Sequence, residues 1–352
     1  MTHPTLLVLR PLGLRDFLTC VPAYRALARA FPNHARLIAV PPSLAPLVPL
    51  TGAFHGTFPA APLCPLDAFP TPVDVAVNLH GRGPRSHRVL LDLEPGRLLA
   101  FRHPDVPDSQ GGATWDPREP DALRWCRMLA AHDIPADPGE LDLALPPLPE
   151  LMRGYTLIHP GAASAARRWP AERWAAVARR ERAGQRRVIV TGGPGERALA
   201  TEVAQLAELP LCDVRAGREN MLELASLVRG AGMVLCGDTG VAHLATALRR
   251  PSVLLFGPTA PTLSGPPVER GWHHVLWAGW DRGPHANRED RGLLEIAVED
   301  VLSEIVALRS SVLELSLRSD MDIGALHGLR GVPHGWHHAC SLPLEVHRTD
   351  RE

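Results

Sequence analysis

Two segments in the second half of the sequence carry residue types that suit phosphate. Gly237-Asp238-Thr239-Gly240 stands between an apolar run and a predicted helix, and His243 lies one turn into that helix. Aspartate and threonine are favoured helix N-caps, and the free amides at a helix N-terminus attract anions. The turn therefore predicts an anion site. A capped turn and a packed histidine are the structural alternatives.

The second segment begins at His159-Pro160-Gly161 and continues through Ser164 to Arg167 and Arg168. Arginine donates forked, charge-assisted hydrogen bonds to phosphate, and the backbone amides of a Gly/Ser loop can add to them. We therefore predict that this loop binds a diphosphate. A solvated basic loop is the alternative.

In the first half of the sequence, Asp16 is the candidate for a catalytic side chain. It follows the apolar run 6–9 and the turn 10–15, where a helix is predicted to begin. A carboxylate there is either an N-cap, which stabilises a helix by about 1 kcal/mol, or a general base for proton abstraction. The residue types alone leave both interpretations open.

A third turn, Gly193-Pro194-Gly195-Glu196-Arg197-Ala198, fits the G-x-G-x-x-[GA] pattern of dinucleotide-binding turns. The context is poor, because the pattern belongs on the first strand of its unit and Pro194 removes an amide where phosphate would be held. Binding of an NAD-type cofactor is therefore kept only as an alternative.

Alternating strands and helices must position these residues. Such alternation predicts parallel sheets covered on both faces, with ligands at the carboxyl ends of the strands. A Pro-rich segment at 135–153 separates the two halves. We predict two doubly wound, Rossmann-like α/β domains, 1–150 and 151–308, facing a cleft. A single helix is predicted over 16–31. The predicted strands are 6–9, 36–40, 73–79, 97–101, 155–159, 187–191, 211–214, 233–236 and 252–256.

The composition excludes several classes of protein. The 352 residues are 45% hydrophobic and 21% charged, and the net charge is -1, so nothing general attracts the chain to nucleic acid or to an anionic membrane. Lysine does not occur, which excludes Schiff-base chemistry and the P-loop. The six cysteines are scattered without a C-x-x-C pair, which predicts reduced thiols and a cytoplasmic location. No signal peptide or membrane-spanning helix is predicted.

Taken in order, the motifs resemble those of glycosyltransferase family 9, the heptosyltransferase-like enzymes of the GT-B fold. The resemblance covers about 6–308. The matching segments are Leu9-Arg10 to Gly13 with Asp16, Asn78-Leu79-His80-Gly81, His159-Pro160-Gly161 with Arg167-Arg168-Trp169-Pro170, Gly237-Asp238-Thr239-Gly240 with His243-Leu244, and Phe256-Gly257-Pro258-Thr259.

This resemblance implies inverting transfer of a sugar, typically heptose, from an ADP-activated donor to a hydroxyl of a saccharide or glycolipid in cell-envelope polysaccharide synthesis. Asp16 would be the base, with Gly13 and His80 on the acceptor side. Arg15 stands where the family usually has glycine. The donor would be bound by Ser164, Arg167, Arg168, Glu196 (at the ribose), Asp238, Thr239, Gly240 and His243.

No Asp-x-Asp stands at a predicted strand end, so we expect metal-independent transfer with the ADP-sugar as co-substrate and no cofactor. Expected partners are the donor and the acceptor, with at most peripheral membrane contact. An NAD-type oxidoreductase and a catalytically idle sugar-nucleotide-binding protein remain as alternatives. We expect a loosely ordered tail at 309–352, where the metal-like spacing of His334, His337, His338 and Cys340 lacks a strand-helix context.

Overall fold

The computed structural model describes residues 3–70, 72–145, 153–279 and 290–323, with side chains described as far as Val312. The chain divides into two compact units, one of residues 1–147 with 219–226 and the other of 148–218 with 227–352. Each unit contains a five-stranded sheet in which all paired strands are parallel. The predicted doubly wound α/β class is confirmed.

The sheet of the first unit has the order β3-β2-β1-β4-β5. Its core lies between this sheet and the helices, and Leu7, Ala76 and Leu98 are among its buried side chains. The strands are β1 (Thr5–Leu9), β2 (Ala35–Val40), β3 (Gly56–Pro59), β4 (Val75–Asn78) and β5 (Arg97–Leu99). The helices are α1 (Leu14–Thr19), α2 (Val21–Ala30), α3 (Arg85–Leu91) and α4 (Asp121–Ala130).

The sheet of the second unit has the order β10-β9-β8-β6-β7. The strands are β6 (Tyr155–His159), β7 (Val188–Val190), β8 (Ala231–Gly237), β9 (Ser252–Phe256) and β10 (His273–Trp277). The helices after residue 153 are α5 (Ala171–Ala183), α6 (Arg197–Leu206), α7 (Met221–Gly230), α8 (Gly240–Ala247), α9 (Pro261–Ser264), α10 (Arg291–Glu295) and α11 (Val298–Ile323).

Two adjacent indoles anchor the core of the second unit. Trp169 and Trp174 are buried, and their ring centroids lie 4.9 Å apart at an interplanar angle of 81°. The Nε1 atom of Trp169 donates a 3.1 Å hydrogen bond to the backbone oxygen of Ile296. The loop after β6 is therefore fixed both to the core and to the segment between α10 and α11.

Each sheet has one point at which the strand order reverses. In the first unit this point lies between β1 and β4, where Leu9 pairs with Asn78. In the second unit it lies between β6 and β8, where His159 pairs with Cys236. Ligands of open α/β sheets bind outside the carboxyl ends of strands at such switch points. The fold thus directs attention to the residues that follow these four strands.

Two predicted elements differ from the structure. The helix predicted over 16–31 is two helices, α1 and α2, which meet at Cys20, with Pro22 in the first turn of α2. The strand predicted at 211–214 is a 3-10 turn, Leu211–Asp213, and only Val214 forms an isolated bridge, to Val190. As a result, β8 is the third strand of its sheet along the chain rather than the fourth.

The predicted tail begins inside a helix. Helix α11 continues through Ile323, so the expectation of loose order is wrong for 309–323. Arg309 pairs with the buried Glu181, and Val312 packs against the core of the second unit. The histidine-rich spacing at 334–340 lies outside the described residues.

Candidate functional site

The turn after β8 forms the N-terminus of α8 in the second unit. Thr239 is the N-cap residue, with an extended backbone, and its side chain makes no capping hydrogen bond. The helix begins at Gly240, and Asp238 before it is buried. The first amides of a helix carry partial positive charge and have no intrahelical partner. This end of α8 is therefore suited to an anion.

Arg167 binds directly to this turn. Its Nη1 atom donates a 3.1 Å hydrogen bond to the backbone oxygen of Asp238 and lies 3.6 Å from the carboxylate oxygen Oδ2. The side chains of Arg167 and Asp238 are 11% and 1% exposed. The hydroxyl of Ser264 donates a 3.4 Å hydrogen bond to the other carboxylate oxygen of Asp238. The structure thus joins the two segments that the sequence analysis singled out separately.

Two glycines allow the loop after β6 to lie close to the strand ends. A Cβ atom on Gly237 would be 3.0 Å from the backbone oxygen of Arg167. A Cβ atom on Gly257, just after β9, would be 3.0 Å from the backbone oxygen of Ala166. Both distances are tighter than ordinary van der Waals contact. The 3-10 turn Ala165–Arg167 is therefore set directly against the ends of β8 and β9.

The remaining predicted donor residues of this loop differ in their surroundings. Ser164 is the N-cap of the 3-10 turn and is half-buried, whereas Arg168 is exposed and donates a 2.8 Å hydrogen bond from Nε to the backbone oxygen of Ala162. His243 is half-buried, one turn into α8. Arg167 is thus joined to the α8 turn, and its neighbour Arg168 is joined to its own loop.

Glu196 is the N-cap residue of α6. Its Oε2 atom accepts a 2.7 Å hydrogen bond from the amide of Gly193 and lies 3.8 Å from Nε2 of His159. Gly161 makes room for the carboxylate, because a Cβ atom there would be 2.2 Å from Glu196 Cδ. Burial lowers the pKa of His159 although the charge of Glu196 acts in the opposite direction. The carboxylate is thus held between the ends of β6 and β7.

This arrangement argues against the dinucleotide alternative. The amide of Gly193, which a pyrophosphate would need, already donates to the carboxylate of Glu196. A negative charge therefore stands where the G-x-G-x-x-[GA] pattern would bind phosphate.

Asp16 is the third residue of α1 in the first unit, and the N-cap of that helix is Gly13. The N-cap interpretation of Asp16 is therefore wrong. Its side chain is 38% exposed, and Oδ1 lies 3.6 Å from Nη2 of Arg10. A Cβ atom on Gly13 would be 3.6 Å from Asp16 Oδ2, an ordinary van der Waals distance, so the N-cap residue lies directly beside the carboxylate. The geometry is consistent with a carboxylate that can accept a proton from a ligand.

His80 follows β4 at the same switch point. Its backbone nitrogen donates a 2.9 Å hydrogen bond to Oδ1 of Asn78, and its ring Nδ1 atom is buried with no hydrogen-bond partner within the described part of the chain. Burial and the charge of Arg10 lower the pKa of His80, while Asp16 acts in the opposite direction. A neutral imidazole therefore lies in the electrostatic field of both residues.

Arg10 was missed as a site residue by sequence reasoning. It is buried, and its guanidinium donates to the backbone oxygens of Asp16 and Leu79. The available signal was an arginine placed directly after a fully apolar strand. Arg15, by contrast, turns toward α4 and lies 3.1 Å from the carboxylate of Asp121.

Comparison with known proteins agrees with these motifs. Residues 128–290 match the model of glycosyltransferase family 9 (heptosyltransferase). Lipopolysaccharide heptosyltransferase 3 of Escherichia coli is 28% identical to this chain over 130 residues, which are 36% of this chain and 34% of that protein. The match thus spans about a third of that relative's length.

Solved structures share the fold over most of the chain. A family 9 glycosyl transferase from Veillonella parvula has a TM-score of 0.72 and 17% identity, over 88% of this chain and 98% of that one. E. coli heptosyltransferase WaaC with ADP-2-deoxy-2-fluoro heptose has a TM-score of 0.63 and 18% identity, over 86% and 99%. The fold is therefore of the GT-B type. Together with the family match, the resemblance to glycosyltransferase family 9, and to its heptosyltransferases, is confirmed.

Two findings concern membranes and metals. Nowhere in the described ranges does a helix combine the length and the apolar character needed to cross a bilayer. The same ranges contain no group of three or more His, Cys, Asp or Glu side chains that could hold a metal ion.

Proposed function

We propose that this protein is an inverting glycosyltransferase that moves a heptose from an ADP-activated donor to a hydroxyl of a saccharide or glycolipid of the cell envelope. The observation that carries the proposal is the contact of Arg167 with Asp238 at the N-terminus of α8. A guanidinium and free helix amides then face one anion, which is the chemistry that a diphosphate requires.

The second unit is the donor side of this proposal. As the donor reacts, negative charge grows on the leaving ADP, and Arg167, Arg168 and the first amides of α8 stabilise it. These groups supply the positive charge that a metal would otherwise provide, so we propose metal-independent transfer. Glu196 accepts hydrogen bonds from the ribose hydroxyls. The ADP-heptose analogue that WaaC binds supports ADP as the nucleotide.

The remaining donor residues surround the diphosphate. Ser164 and Thr239 offer hydroxyl groups, and Gly240 offers an amide with close backbone approach. His243, one turn further along α8, lies beside them. The proposed donor domain is 151–308.

The first unit, in the proposed domain 1–150, is the acceptor side. The acceptor oxygen attacks the anomeric carbon while its proton moves to a carboxylate oxygen of Asp16. The bond from that carbon to ADP breaks, and its electron pair leaves with the β-phosphate. Attack from the face opposite ADP inverts the anomeric configuration. Gly13 and His80 lie beside Asp16 and contact the acceptor. The proposed location is the cytoplasm. The proposed partners include no nucleic acid, and contact with the membrane is at most peripheral.

The test is transfer by the purified chain with a panel of ADP-, UDP- and GDP-sugars and lipopolysaccharide that lacks core heptose, with the product followed by mass spectrometry. We expect a mass increase of one heptose with the ADP donor. Donor binding without any product would favour the idle binding protein. Tight binding of NADH with no affinity for ADP-sugars would favour the oxidoreductase.

A further inference from the structure

Arg10 is buried at the carboxyl end of β1, with 2% of its side chain exposed. Its Nε and Nη2 atoms donate hydrogen bonds of 2.9 and 2.7 Å to the backbone oxygen of Asp16. Its Nη1 atom donates to the backbone oxygen of Leu79. The forked guanidinium therefore joins α1 to the segment that follows β4.

The contact with Leu79 also fixes His80. The carbonyl of Leu79 belongs to the same peptide group as the nitrogen of His80, and that nitrogen donates to Oδ1 of Asn78. Both polar atoms of this peptide group are thus held, one by Arg10 and the other by Asn78. Because Arg10 also holds Asp16, a single side chain sets the spacing of the two residues.

The orientation of the guanidinium is itself restricted. The ring of Trp125 lies over it, with its centroid 4.8 Å from the guanidinium carbon of Arg10. Such a stacked and forked geometry is specific to arginine, because an ammonium group has neither the planar face nor donors placed to reach two separate carbonyl groups. Lysine at this position would keep the charge and lose the bridge.

We propose that Arg10 is a positioning residue for the transfer reaction, which orients Asp16 and His80 as one unit. This inference rests on the proposed function of Asp16 as the base. A displacement of about 1 Å in such a unit can cost about 10²-fold in rate. Loosening the bridge therefore lowers kcat and leaves donor binding by the second unit unchanged.

Arg25 offers a matched control within the same unit. It is a partly buried arginine whose guanidinium, like that of Arg10, donates to backbone oxygens, those of Thr51, Glu140 and Asp142. It belongs to neither candidate site. Arg25→Lys therefore measures how far kcat falls when a guanidinium bridge between backbone oxygens is lost away from the candidate sites.

The experiment compares kcat and the donor KM of Arg10→Lys and Arg25→Lys, each alone and combined with Asp16→Asn. We expect Arg10→Lys to lower kcat about 10²-fold at an unchanged donor KM, and Arg25→Lys to leave kcat near that of the parent. With Asp16→Asn present, Arg10→Lys should cost little more, since residues that act as a unit are not additive.

Two results would overturn the positioning role of Arg10 while leaving the proposed function standing. One is an equal loss of kcat in Arg10→Lys and Arg25→Lys, and the other is an undiminished further loss of kcat when Arg10→Lys is added to Asp16→Asn. A parent chain that transfers no sugar would overturn the proposed function and this inference together. If Arg10→Lys does not fold, Trp125→Leu tests the same bridge from its other side. That variant should lower kcat in the parent background and have no effect with Asp16→Asn.

Discussion

The Nη1 atom of Arg167 lies 3.1 Å from the backbone oxygen of Asp238 and 3.6 Å from its carboxylate, so a nearly buried ion pair forms at the start of α8. A buried ion pair is costly to form, and its cost is offset when its free donors find further partners. Here the Nε atom of Arg167 is buried and has no hydrogen-bond partner within the described ranges. Because that atom has no exposed surface, a diphosphate at this turn would instead contact the 11% of the Arg167 side chain that is exposed.

Arg167→Ala should weaken ADP binding by about 1 to 3 kcal/mol, the range for a lost charged hydrogen bond. Isothermal calorimetry measures the difference directly. Arg168→Ala is the matched comparison, because Arg168 is exposed and its guanidinium is bound to its own loop. We expect a smaller loss from it. An unchanged ADP affinity in Arg167→Ala would refute the assignment of Arg167 to the donor site.

The ion pair between Arg309 and Glu181 should hold α11 to the second unit. Arg309 donates two hydrogen bonds to the carboxylate of Glu181, which is 3% exposed and also accepts a 2.5 Å hydrogen bond from Thr156. Arg309→Met should lower the free energy of unfolding by about 1 to 3 kcal/mol, because a buried charged group loses its partner. Urea denaturation checks this, and Arg118→Met, at an arginine with 90% of its side chain exposed, is the control, expected to leave stability near that of the parent.

Glu181 also gives a pH dependence of known sign. Burial by itself raises its pKa, but the hydrogen bonds from Arg309 and Thr156 and the charges of Arg309 and Arg186 lower it overall. The native state therefore binds this proton less readily than the unfolded chain. The stabilisation of the fold by ionised Glu181 is complete above the pKa of glutamate in the unfolded chain, near 4.3. It is lost as the pH falls through the lower pKa that Glu181 has in the native state. Arg309→Met should show a shallower loss of stability in acid.

His273 should weaken the fold at mildly acid pH. Burial lowers its pKa to about 3, with smaller effects from Arg270 and His274, and Nδ1 lies 2.7 Å from the hydroxyl of Ser252. Below its unfolded pKa of about 6.5 the unfolded chain takes up a proton that the native state does not. Stability therefore falls by up to about 1.4 kcal/mol per pH unit in that window. His273→Gln should flatten this slope, and the exposed His3→Gln should not. Equal slopes would refute the assignment.

The sequence predicts well those elements whose apolar residues are continuous and bounded by turn residues. Strand β6 was predicted at its observed bounds, 155–159, because Tyr-Thr-Leu-Ile-His is followed directly by Pro160 and Gly161. The split between α1 and α2 was not predicted, since the helical period continues across Cys20. Leu211–Asp213 looks like a strand but forms a 3-10 turn, because pairing depends on neighbours that are distant in sequence.

The candidate sites show the same limit. That Asp238 and Arg167 serve one ligand could be predicted, because each follows a predicted strand of the same domain in a segment suited to an anion. That Arg167 rather than Arg168 contacts the turn does not follow, because two identical neighbouring residues differ only through the local 3-10 turn. The role of Arg10 depends on a carbonyl 69 residues away, at Leu79, and no local pattern reports such a contact.

Asp16 is predicted to be the catalytic base. It lies at the switch point of the first sheet, where ligands of such sheets bind, and it is partly exposed while Gly13 caps the helix in its place. An aspartate is a weak base, but the hydroxyl becomes acidic as its oxygen bonds to the sugar, so a carboxylate suffices at that moment.

Asp16→Asn keeps the size of the side chain and removes the base. Because Gly13 is the cap, the change should leave the melting temperature and ADP affinity near those of the parent, and turnover should fall by about 10²- to 10⁴-fold. Asp137→Asn is the control, since Asp137 is an aspartate of the same unit whose carboxylate accepts a hydrogen bond from Gly139. It should transfer sugar at the parent rate. If Asp16→Asn also transfers sugar at the parent rate, the proton must go to another group, and His80, which follows β4 at the same switch point, becomes the next residue to change.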